Sequence, residues 1–129
     1  SLFVPMAKWS MLLTGNYRCV TIDGAQAIRD AVHGDLEASE EMYAWVDTLA
    51  RSLGADASDQ VPFEKYANAA QSLLKPSSVA RAIESGAKKI ERVDLLVQGI
   101  AASVSMKSAV LDATVSIVNS RMNANQRKV

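Results

Sequence analysis

The stretch Asp35-Leu36-Glu37-Ala38-Ser39-Glu40-Glu41-Met42-Tyr43-Ala44-Trp45-Val46-Asp47-Thr48-Leu49-Ala50-Arg51-Ser52-Leu53-Gly54 reads as one amphipathic helix. Met42, Trp45, Val46, Leu49 and Leu53 fall at i, i+3, i+4, i+7 and i+11, an apolar stripe on one face. Asp35 is placed to cap the helix. Glu37, Glu40 and Glu41 occupy its first turns, where carboxylates suit the positive end of the dipole, so the acidic run reads as a solvated face. Arg51 lies in the last turn, and Gly54 supplies the stop. The stripe predicts that Trp45 and Leu49 are buried.

Helical spacing continues on both sides. Pro5 ends the leading segment, and a helix is expected to start near Met6 to Lys8, with Trp9, Leu12, Leu13 and Asn16 recurring along it. Gly15 is a weak point there, since glycine inside a helix costs roughly 1 kcal/mol relative to alanine. Asp23-Gly24 reads as a turn, a short helix is predicted over Ala25 to Val32, and His33-Gly34 breaks it. Downstream, Asp56 to Gln60 is a polar loop and Pro62 opens a helix through about Leu74. After Pro76, Ser77 or Ser78 caps a helix through about Ser85. Ile90, Val93, Val97, Ile100 and Val104 make another apolar stripe, and Leu111, Val115, Val118 and Met122 a last one. The polar tail Asn123 to Val129 is expected to fray. No stretch alternates apolar and polar residues as a half-buried strand does.

The reading is an all-α domain of about six or seven helices. Its 129 residues fit one domain, and 49% of them are hydrophobic, a globular composition. The formal net charge is zero, where a nucleic-acid binder carries a basic excess. No apolar run approaches the ~20 residues of a membrane span, and Ser1 to Pro5 lack the basic start and apolar core of a signal peptide. The chain opens in what reads as a linker, so it is expected to be a piece of a longer protein. The single cysteine, Cys19, makes no intrachain disulfide, which suits a reducing cytoplasm, and its apolar surroundings read as those of a packed thiol. His33 has no partner at metal-ligand or catalytic spacing, and no glycine-rich phosphate loop occurs. What remains is a set of polar residues at helix ends and kinks: Lys8, Asn16, Ser78 and Glu91.

Three landmarks arranged in order carry a resemblance: Lys8-Trp9-Ser10-Met11-Leu12-Leu13-Thr14-Gly15-Asn16, the turn Lys75-Pro76-Ser77-Ser78, and the run Val93 to Ile100 with Gly99 inside it. Over nearly its full length the chain resembles the C-terminal helical domain of the ketopantoate reductase (2-dehydropantoate 2-reductase) family. The resemblance implies the architecture of the 6-phosphogluconate dehydrogenase C-terminal domain, with residues 1–129 as one substrate and dimerisation domain. It implies an N-terminal Rossmann domain that binds NADPH, a 2-keto acid as substrate and a homodimer, with no nucleic-acid or membrane partner.

In that family a lysine protonates the forming alkoxide, and a glutamate with an asparagine or serine positions the substrate. The family's lysine position falls here on Met11; Lys8 lies three residues earlier on the same helical face. The asparagine is displaced by one residue, from Gly15 to Asn16, an offset that a local irregularity at Gly15 absorbs. The glutamate maps nearest to Glu91, preferred over Asp94. The implied catalytic residues are therefore Lys8 and Glu91, and the implied substrate-binding residues Asn16 and Ser78. The rival reading is a helical interaction or dimerisation module that kept the fold and lost the chemistry.

Overall fold

The computed structural model describes residues 5–129. They form seven helices, and among the described residues the only β pairing is an isolated antiparallel bridge between Val20 and Ala25. Helix α1 spans residues 6–19 and changes pitch three times: a 3-10 turn over Met6–Lys8, an α turn over Trp9–Met11, a π turn over Leu12–Asn16 and a 3-10 turn over Tyr17–Cys19. Then come α2 (Ile28–His33), α3 (Leu36–Ser52), α4 (Phe63–Ala70), α5 (Ser78–Glu84), α6 (Val93–Ser103) and α7 (Ala109–Arg127), with a 3-10 turn at Ala57–Asp59.

Helix α1 runs through the centre, in contact with α2, α3, α5, α6 and α7. Trp9, Leu13 and Tyr17 recur every four residues, and all three are buried. They join Met42, Val46 and Leu49 of α3, Ile83 of α5, Val97 of α6 and Val118 of α7 in one large core. A smaller cluster holds Val32, Tyr43, Tyr66, Ala67 and Ala70. There the Tyr43 ring stacks on Tyr66 at 5.6 Å and meets the edge of Phe63 at 5.3 Å.

The changes of pitch in α1 release carbonyls that side chains cap, two of them from neighbouring elements. A π turn bonds i to i+5 and so takes in one extra residue, which leaves backbone oxygens nearby without their usual amides. The Tyr66 hydroxyl donates to Met11 O at 3.1 Å, Arg18 Nη1 to Thr14 O at 3.0 Å, and Ser77 Oγ to Asn16 O at 2.6 Å. Gly15 leaves room beside them: a Cβ there would overlap the Tyr66 hydroxyl and push that side chain aside. The irregularity expected at Gly15 is thus a π turn.

The α3 reading holds in its caps: Asp35 accepts from Ala38 N, and Gly54 follows the helix with φ +101°. Its buried face is rotated from the expected one. Ser39, Met42, Tyr43, Val46, Leu49 and Ala50 are buried, whereas Trp45 is half-buried against the core edge and Leu53 is exposed. Other boundaries also move. The short helix is Ile28–His33, so His33 ends it from inside; α4 stops at Ala70; α6 starts at Val93, and Val104 is exposed. The tail does not fray. Helix α7 continues to Arg127, because Asn125 is buried and its amide donates to Ile83 O at 2.9 Å and Ala87 O at 3.0 Å.

Candidate functional site

The turn between α4 and α5 positions the most concentrated group of polar side chains. Helix α4 has already stopped at Ala70; Pro76 lies in the following turn, and Ser77 takes an extended conformation, φ −63° and ψ 164°, as N-cap. Its hydroxyl accepts from Ala80 N at 3.2 Å while donating to Asn16 O. Ser77 is thereby buried and consumed by structure, which leaves Ser78 as the exposed serine of the pair.

Ser78 lines two clefts. One, of about 500 Å³, also contains Asn16, Lys75 and Arg81. The other, of about 370 Å³, also contains Leu12, Tyr17 and Glu91. The structure therefore brings Asn16 and Ser78 together on one side, and Ser78 and Glu91 on the other. Lys8 lines neither cleft. It is exposed in the opening 3-10 turn, four residues before Leu12 of the second cleft.

Glu91 is exposed, and its carbonyl accepts a 2.5 Å hydrogen bond from the Tyr17 hydroxyl, which in turn accepts from Val93 N at 3.0 Å. Burial pushes the Tyr17 phenol up to about 12. Asp94, the alternative acid, is fully buried, and Arg92 Nε and Nη2 donate to its two oxygens at 2.9 Å each. It braces the start of α6 and faces neither cleft.

Lys75 and Arg81 were not singled out from the sequence, although Arg81 stands three residues after Ser78 and so on its face of α5. Neither makes an ion pair among the described residues. Two unpaired cations beside a serine hydroxyl and an asparagine amide can take a carboxylate with an adjacent carbonyl. Two other residues are occupied structurally. His33 Nε2 donates to Ala67 O at 2.7 Å. Cys19 is buried, with Sγ 3.4 Å from Gly15 O, and burial pushes its thiol up, away from the reactive thiolate.

An all-helical domain with two clefts meeting at Ser78 is the class this arrangement defines. Comparison with protein-family models, with curated proteins and with solved structures finds no match. Among the described residues no strand leads through closely spaced glycines into a helix, the turn of a Rossmann dinucleotide site. No group of three or more His, Cys, Asp or Glu is arranged to hold a metal among the described residues, and no helix there is long and apolar enough to cross a membrane.

Proposed function

We propose that this chain is the substrate-side helical domain of a cytoplasmic 2-keto acid reductase similar to the ketopantoate reductases, with the 6-phosphogluconate dehydrogenase C-terminal architecture. The observation that carries the reading is the meeting of two clefts at Ser78, which gathers Asn16, Lys75 and Arg81 on one side and Glu91 on the other. Lys75 and Arg81 neutralise the substrate carboxylate, Asn16 and Ser78 orient the keto oxygen, and Glu91 accepts from a substrate hydroxyl. NADPH belongs to a Rossmann partner domain. Lys8 is the cation assigned to the developing alkoxide. Leu12 of the second cleft follows Lys8 by four residues, about one helical turn.

Titration of ketopantoate and 2-ketoisovalerate into the isotopically labelled chain tests the substrate assignment. Saturable shifts are expected at the amides of Asn16, Ser78 and Glu91, and Ser78→Ala should abolish them. Absence of shifts with either acid overturns the reading. In the protein joined to its NADPH-binding domain, Lys8→Ala should lower turnover roughly 100-fold, the scale of losing one donor at a developing oxyanion.

The second reading is a helical interaction or dimerisation module without chemistry. It is favoured by Lys8 standing outside both clefts and by Met11 at the expected lysine position. Wild-type turnover in Lys8→Ala would leave α1 without a catalytic part and favour this module.

A further inference from the structure

A third cleft lies away from Ser78, between the 20–26 loop and α7, with a volume of about 550 Å³. Its walls are largely apolar, with Val20, Ile22, Val110 and Ile117 contributing side chains. Arg18 is its only cationic lining residue. The Arg18 guanidinium uses one nitrogen, Nη1, to donate to Thr14 O at 3.0 Å and Ser39 Oγ at 2.9 Å. Those bonds fix its position. Among the described residues it has no carboxylate within ion-pair distance, and Asp35 acts on it only from farther off. A partly buried guanidinium ordinarily meets a carboxylate, because burying the charge alone is costly. The acid on the cleft lining is Asp23, exposed on the loop and unpaired with Arg18.

The loop wall is held rigidly. Arg121 Nη1 donates to Thr21 O at 2.7 Å and Gly24 O at 2.6 Å, and Arg121 Nη2 reaches Glu84 at 2.9 Å. Val20 and Ala25 pair across the base of the loop, and Gln26 Nε2 donates to Arg18 O. Ile22, 76% exposed at the tip, is therefore kept over the cleft by a braced loop. A few-hundred-Å³ cleft with apolar walls and one fixed polar group is the usual form of a small-ligand site.

We infer that this cleft binds a monocarboxylate with an unbranched aliphatic chain, its carboxylate on the free edge of Arg18 and its chain along Val110 and Ile117. The site is separate from the Ser78 clefts and does not depend on the reductase reading.

Titration calorimetry of the whole chain with octanoate, with octanamide as the neutral analogue, tests it. Saturable octanoate binding is expected, with octanamide at least roughly tenfold weaker, as loss of a charged hydrogen-bond partner implies. Ala113 is exposed on α7 and lines the cleft, so Ala113→Trp should fill it without disturbing the core or Arg18. That variant should lose octanoate binding, as should Arg18→Gln, whereas Ser78→Ala should retain it. Equal affinity for acid and amide, unchanged binding in Ala113→Trp, or no saturable binding of octanoate each overturns the inference. Loss in Ser78→Ala with retention in Ala113→Trp would move the carboxylate to the Ser78 clefts instead.

Discussion

Gly15 shows how much a single hydrogen atom in place of a side chain decides. It sits in the π turn under the Tyr66 hydroxyl, which caps Met11 O. Gly15→Ala gains helix propensity yet forces Tyr66 aside, and overpacking of this kind typically costs ~1–3 kcal/mol. The loss should shrink in a Tyr66→Phe background, where the colliding oxygen is gone. Denaturant midpoints of the four proteins measure this; an equal cost in both backgrounds would exclude the hydroxyl as the cause. Glu91 and Asp94 make a parallel case. Both are acids near the start of α6, and the sequence alone does not separate them. Burial does: Asp94 is enclosed with Arg92, while Glu91 faces solvent at a cleft.

Helix α3 was readable in extent, cap and stop, because these depend on residues within one or two turns of each other. Its buried face was read a fraction of a turn off, with Trp45 and Leu53 too far in and Tyr43 and Ala50 left out. Hydropathy places tryptophan in a core, whereas the α1 and α4 neighbours fit Tyr43, whose hydroxyl donates to Val61 O. Leu49→Ala should therefore cost ~2–5 kcal/mol, the range for a fully buried leucine. Trp45→Ala should cost less than Leu49→Ala, and urea midpoints of the two variants give the order. The reverse order would place Trp45 back in the core. At the other end of the chain, α7 outlasts its apolar stripe because Asn125 caps carbonyls at the end of α5. A polar tail gives no local sign of such partners.

The assembled molecule encloses all three tyrosines of the chain. Burial raises Tyr17 and Tyr43 from 10.0 to about 12, and burial raises Tyr66 as well. A raised folded-state value means that the neutral phenol is the form the fold favours. The associated stability is complete below pH 10 and drains away as pH climbs toward 12. Tyrosinate absorbance followed together with helical circular dichroism should show little ionisation at pH 10, then ionisation and loss of helix in step as the pH approaches 12. Half-ionised tyrosines at pH 10 with the helices intact would contradict the burial of these rings.

The all-helical class, the seven-helix scale and the α3 boundaries follow from periodicity, caps and Gly/Pro punctuation, which act over a few residues and are therefore visible in one chain. Asn16 and Ser78 were named from their helix-kink and turn settings and from the family resemblance, but which of Ser77 and Ser78 caps α5 was left open. That depended on Ser77 bonding to Asn16 O across 61 residues. The π turn under Tyr66, the seclusion of Asp94, the extension of α7 and the fixed position of the Arg18 guanidinium have the same origin. Each is settled by a donor or acceptor brought from a distant segment, as when Tyr17 bridges Glu91 O and Val93 N. Such pairings form only when the core closes around α1, because a buried polar group must find whichever partner the packing leaves within reach.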